Sequence, residues 1–268
     1  MKKLIITLLL LLAASFPASA KTVLDFKVPV PPGSTPDTAY TNPLTKQDNF
    51  VNLVSDLGMM ISYKPVQPTE SLKGTLLPLG FDIGVEASYT SIDKNKAYWA
   101  DAVNPRDSAL DSTQVFTKVH AQIALPVIPV DFGIVYGTSQ NFESMTFTGA
   151  EIKYNILKGD VALPAIAIRG AYSKLSGDAS NIIDLTTYQA DISISKGILF
   201  ITPYAGIGEV WMIGKNRDVP EVTLSDVRVA KVKGFVGAKI SLFYIFNLVI
   251  EGEFANVNTY SARLNAHF

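Results

Sequence analysis

Between residues 81 and 268 the chain repeats one pattern, an apolar side chain followed by a polar or small one. In the first instance Phe81, Ile83, Val85, Ala87 and Tyr89 alternate with Asp82, Gly84, Glu86, Ser88 and Thr90. A period of two places successive side chains on opposite faces of a strand. The alternation predicts strands near 81–92, 113–126, 129–139, 145–157, 161–174, 183–196, 199–213, 227–243, 247–256 and 259–268. Most come close to the roughly 9–11 residues that a tilted strand needs to cross a bilayer. The segment 199–213 ("ITPYAGIGEVW") has no cleanly apolar face, and its glycines predict a kink or a close approach by another element.

The polar face keeps the charges. Asp82, Glu86, Lys118, His120, Asp131, Glu151, Lys153, Arg169, Asp191, Lys231, Lys233, Lys239, Glu251, Glu253 and Arg263 all fall on it. In a soluble sheet that face would meet water and the apolar face a core. In a closed membrane barrel the apolar face meets lipid and the charged face an enclosed lumen. Both signs occur, so the lumen is expected either to be filled by paired charges or to serve as a polar conduit.

Connections add to the picture. Short ones fall at 126–129, 157–160, 195–197 and 242–246, and longer polar ones near 92–112, 139–145, 174–182 and 214–226. Short turns at one end and long loops at the other suit a barrel in an outer membrane. The link at 256–258 departs, being short at the long-loop end. Tyr136, Tyr172, Tyr188, Phe243, Tyr244, Phe246, Phe254 and Phe268 lie near strand ends or on the apolar face, as interface girdles do.

Ahead of the strands the pattern changes. Residues 21–46 are rich in Pro, Thr and Asp and predict an extended arm. In 46–58, Phe50, Val51, Leu53, Val54 and Leu57 take helical spacing, with Gly58 as the stop, and 59–64 is read as a short strand placed outside the ladder or inside the lumen. The helix at 47–57 is a candidate lumen plug, with Val135, Val249 and Ala167 as candidate apolar contacts, or else lies against the periplasmic rim or stays mobile; 21–80 is read as a periplasmic arm, short helix and connector. Residues 1–20 read as a signal peptide: Met1, Lys2 and Lys3, an apolar run from Leu4 to Ala14, then Ala18-Ser19-Ala20 as the cleavage signal.

Composition narrows the classes. With no cysteine, disulfides, thiol catalysis and a lipid-modified N-terminal Cys are excluded. A net charge of -1 gives no general attraction to nucleic acid. Only 18% of residues are charged and mean hydropathy is +0.23, yet after residue 20 no uncharged run approaches the roughly 20 residues of a spanning helix. Apolar residues dispersed by alternation cross a bilayer only as a closed barrel, which leaves no backbone group unpaired in lipid.

The chain ends in "YSARLNAHF", where Tyr260, Ala262, Leu264, Ala266 and Phe268 share one face. An aromatic last residue on an alternating final strand resembles the terminal signature of Gram-negative outer-membrane β-barrels as a class. The resemblance implies that Tyr260, Leu264 and Phe268 form a signal for barrel-assembly machinery, which with outer-membrane lipid would be the partners. The fold expected is all-β: a transmembrane antiparallel up-and-down barrel of about ten strands, with eight or twelve as alternatives, and a short N-terminal helix. Wide pores need more strands, so a narrow or gated channel for small solutes is expected, lined by the charged residues above. The alternative is a non-conducting structural or surface-interaction barrel, with Tyr98 and Trp99 in a long loop as a candidate anchor. Outer-membrane lipid hydrolases and acyltransferases use histidine. Here only His120 and His267 occur, one mid-strand inside the lumen and one at the strand end. Neither catalysis nor a cofactor is therefore expected, and no metal-ligand spacing appears.

Overall fold

The computed structural model describes residues 21–24, 46–72, 79–103, 110–125, 128–160, 162–217, 224–243 and 245–268. The signal-peptide reading, most of the proline-rich arm and part of the long connections fall outside them. Ten strands follow in order: β1 (Gly80–Ser91), β2 (Thr113–Ala124), β3 (Val130–Ser139), β4 (Met145–Lys158), β5 (Ala165–Gly177), β6 (Ile183–Ser195), β7 (Ile201–Asn216), β8 (Val227–Phe243), β9 (Phe246–Phe254) and β10 (Asn258–His267). Each pairs antiparallel with its neighbour, and β10 closes on β1 to complete the barrel. In the seam Asp82 pairs with His267 and Ser91 with Asn258. Phe81 and Phe268 exchange backbone hydrogen bonds below it. No sheet edge is left open, as closure requires.

The wall is inverted relative to a soluble protein. Ile134, Ile152, Ile168, Ile192, Ile207, Val232 and Ile250 point outward and are exposed, while Glu86, Lys118, His120, Lys153 and Arg263 point inward and are buried. This is the arrangement of a barrel whose outer face meets hydrocarbon. On that face Tyr172 pairs with Tyr188 and Tyr188 with Trp211; Tyr89 pairs with Tyr260 across the seam. These aromatics form a belt toward the long loops. Phe81, Phe268, Phe200 and Phe243 lie at the other end, here called the terminus end.

Strands longer than a bilayer requires carry the barrel past the aromatic belt; β8 alone has 17 residues. Inside this extension sits helix α1 (Gln47–Ile61). Its Phe50, Leu53, Val54, Leu57, Met60 and Ile61 pack against Phe116, Phe147, Leu175, Leu185, Val210 and Met212. Among the described residues two short helices stand in the loops: α2 (Ala97–Ala102) after β1 and α3 (Ala179–Ile182) after β5.

Two details differ from the sequence expectation. Gly58 does not stop α1, which continues through Met59, Met60 and Ile61, so 59–64 is not a strand. The glycine answers a close approach instead: a Cβ at Gly58 would lie 2.5 Å from Met212 Sδ. The mixed face of β7 has the same origin. Its inward Val210, Met212 and Gly214 are apolar or small because α1 lies on them, and a Cβ at Gly214 would meet Val54 Cγ2 at 2.4 Å.

Candidate functional site

The lumen is divided into an apolar half at the loop end and a charged half toward the terminus end. Alternation of each strand directs both sets inward. What separates them is position along the strand: Phe116, Phe147 and Leu185 lie near loop ends, the charges nearer the middle.

In the charged half the candidates from the sequence come together as pairs. Lys118 Nζ is 2.6 Å from Glu86 Oε1, and His120 Nε2 is 2.7 Å from Glu86 Oε2. Lys153 Nζ meets Asp131 Oδ2 at 2.9 Å. Arg169 bridges Asp191 at 3.2 Å and Glu151 at 3.6 Å. Lys233 pairs with Glu253 at 2.8 Å, and Tyr204 donates to Glu251 at 2.8 Å. Arg263 pairs with Asp82 across the seam and donates to Gln122 at 3.2 Å. Lys239, nearer the terminus end, is 3.7 Å from Glu70. Of the terminal-strand residues, Tyr260 is exposed on the outward face, whereas Leu264, of the same parity, is covered by its neighbours.

The pairing is completed by a segment that the sequence placed only in part, 59–64 being read as lying outside the ladder or inside the lumen. From Ser62 to Leu72 the chain runs through the lumen as an extended strap. Lys64 Nζ lies 3.3 Å from Glu253 Oε1 and also donates to Met59 O and to Ser62 Oγ, the latter at 3.0 Å. Arg263 Nη1 donates to Pro65 O at 2.6 Å. Thr69 donates to Ser193 at 3.0 Å, Lys153 to Glu70 O at 3.1 Å, and Ser71 to Asp131 at 2.9 Å. Val66 packs with Tyr204, Phe235 and Val249, and Val135 belongs to the core around α1. The signal available was the one lysine in an otherwise apolar run, Lys64 before Pro65, which suits a charge that must find a partner indoors.

Both ends of this segment can be placed. Leu72 O would touch a Cβ on Gly80, the first residue of β1, at 2.4 Å, so the strap ends at the terminus end. The other end lies among the long loops. Thr22 bridges Phe142, Leu24 bridges Val103, and Gln47 Nε2 donates to Ser225 O at 3.2 Å. The described parts of the segment read from sequence as a periplasmic arm and possible lumen plug, 21–24 and 46–72, thus lie among the long loops and in the lumen.

A clamp fixes α1 at the loop end. Asp56 accepts from Tyr98 Oη at 2.9 Å, Trp99 Nε1 at 3.1 Å and Asn256 Nδ2 at 2.7 Å. Burial raises the Asp56 carboxyl above its ordinary value, and the three donors counter this only in part. Burial and the nearby Asp56 raise the Tyr98 phenol. Trp99 is fully buried and stacks 6.2 Å from Phe142, so this aromatic pair packs within the molecule.

At the terminus end a cavity of about 660 Å³ is bordered by Gln67, Glu70, Asp82, Lys239, Asn265 and His267. Fully buried His120 faces Glu86 and stands edge-on to Tyr63. Among the described residues no three His, Asp or Glu side chains converge as metal ligands.

No family model matches the chain, and no curated protein matches it. Solved structures with a similar course of strands include the translocator domain of autotransporter NalP from Neisseria meningitidis, at 10% identity and a TM-score of 0.40 over 83% of this chain and 94% of that one. KdgM porin aligns at 8% identity and a TM-score of 0.34, covering 70% and 99%. Ail, the attachment invasion locus protein of Yersinia pestis, aligns at 11% and 0.31, covering 71% and 97%. At these values the likeness says nothing about what this chain does.

Proposed function

We propose that the protein is an integral outer-membrane barrel that acts as a closed anchor, holding its own N-terminal segment at the cell surface. One observation carries this reading: residues 47–72 pass through the lumen from the loop end to the terminus end, with residues 21–24 left among the loops. Short turns at the terminus end support reading it as the periplasmic one, because outer-membrane barrels keep short turns there and long loops outside. The N-terminal segment then lies outside.

A conducting pore is the second reading, favoured by the buried rows of Lys, Arg, Asp and Glu. It requires the strap to leave. Departure would strand Glu253 with one of its two lysines and remove acceptors from Arg263 and Lys153, each a buried charge losing hydrogen bonds worth about 1.5–3 kcal/mol. The closed state is therefore the resting one. Planar-bilayer recording of the refolded chain tests this. The intact protein should be silent, and a variant lacking 47–72 that still shows heat-modifiable mobility should conduct. Steady conductance from the intact chain would return the pore reading to first place.

A further inference from the structure

We propose that the outer wall between β4 and β7 carries a groove for a membrane phospholipid with an ethanolamine head group. The proposal rests on the membrane reading above and extends it to a specific lipid. A cavity of about 600 Å³ lies on the outward face, walled by Ile152, Tyr154, Ile168, Ile192 and Ile207 and floored by Gly170 and Ala190.

The floor is open where the inward face is crowded, an openness shared on the outward face by Gly234, where a Cβ would meet only Gly206 O at 3.9 Å. Inward glycines such as Gly133, Gly137 and Gly206 are crowded, since a Cβ there would come within 2.6, 2.3 and 2.3 Å of another side chain. Gly170 is different. A Cβ would meet only Ile152 Cγ2 at 3.9 Å and Gln189 O at 4.0 Å, and its backbone is not left-handed. Neither space nor φ calls for glycine, yet glycine in mid-strand gives up side-chain packing and adds unfolded-state entropy. Its one structural consequence is the empty volume over the wall, which hydrocarbon must fill if the outer face lies in lipid.

A charge stands next to the groove, across from Ala190 of its floor and outside the residues that border the cavity. Glu209 shares the outward parity of Ile207 and Trp211 and is paired in register with Ala190 on one side and Val232 on the other. It is half-buried, with no hydrogen bond or ion pair among the described residues. Tyr188 and Trp211, one register step toward the loops, set its level at the edge of the aromatic belt. A carboxylate at the border of hydrocarbon is relieved by a cation and repelled by an anion. One ligand meets both features: an acyl chain over Gly170 and Ala190, and an ammonium on Glu209. A phosphoglycerol head group offers no cation.

Native mass spectrometry of the full chain, released from nanodiscs holding equal amounts of phosphatidylethanolamine and phosphatidylglycerol, tests the assignment. One phosphatidylethanolamine adduct should dominate, by up to about fivefold, the range a single ion pair near a surface supports. Ala190→Leu should abolish adducts of both lipids by filling the floor. Glu209→Gln should keep the adduct and lose the preference between head groups. Both side chains face outward, and heat-modifiable mobility confirms that each variant is folded. Equal retention of the two lipids by the unaltered chain, an undiminished adduct in Ala190→Leu, or a dimer in place of a lipid adduct would overturn the proposal. A chain that enters the nanodisc without an adduct defeats the groove alone; one that does not enter lipid defeats the membrane reading as well.

Discussion

Arg263 is where strap, seam and wall meet. It is fully buried on β10, pairs with Asp82 of β1, and donates to Pro65 O of the strap and Gln122 of β2. Arg263→Leu leaves Asp82 charged and buried, with Asn265 Nδ2 as its remaining donor, and leaves a strap carbonyl without its donor. Breaking a buried pair from one side costs about 3–5 kcal/mol. That is a large part of the stability of a typical domain, roughly 5–15 kcal/mol. Urea unfolding from lipid vesicles, followed by fluorescence of Trp99 and Trp211, gives the loss directly. The double variant Asp82→Leu/Arg263→Leu removes both charges together, and replacement of a buried pair by apolar groups is often neutral. It should regain at least about half of the loss, which a double-mutant cycle reads as coupling of about 1.5 kcal/mol or more. A cost below about 1 kcal/mol for Arg263→Leu, or a double variant no more stable than the single one, would refute the idea that this pair closes the seam.

Further outcomes follow from the same contacts. Leu57→Ala, in the apolar core around α1, should cost about 2–5 kcal/mol of α1 docking, read as Trp99 becoming accessible to quenchers; unchanged quenching would count against the packing. Gly214→Val should displace α1 through Val54 without unmaking the barrel, seen as altered Trp99 fluorescence with heat-modifiable mobility retained. The Asp56 carboxyl is raised in the folded state, so its contribution to docking is fully present below about pH 4, the ordinary carboxyl value. It is lost as pH rises through the raised value. Asp56→Asn should flatten that dependence; docking that strengthens on going from pH 4 to neutrality in the unaltered chain would contradict it.

The barrel was legible because alternation is a local signal. Each strand carries its own record of two faces, and the charges of Glu86, Lys118, Lys153 and Arg169 mark the inner one without reference to partners. The strap was not legible for the converse reason. Residues 62–72 form neither helix nor strand, and their partners, Ser193, Glu253 and Arg263, lie well over a hundred positions away. The helix was visible by its spacing, but Gly58 reads equally as a stop and as a close contact, and only Met212 decides between them. The same ambiguity hid the inner face of β7, whose apolar residues are answered by α1 and not by a neighbouring strand.

The passage of the chain through its own barrel is best tested by thiol labelling, since no native cysteine interferes. Three single variants, Lys21→Cys, Asp160→Cys and Pro65→Cys, are exposed to a membrane-impermeant maleimide on intact cells and again after the outer membrane is permeabilised. Labelling is expected at 21 on intact cells, at 160 only after permeabilisation, and at 65 only once the protein is unfolded. Labelling at 160 on intact cells with 21 protected until permeabilisation would reverse the orientation, and labelling at 65 in the folded protein would show that the lumen does not hold the strap.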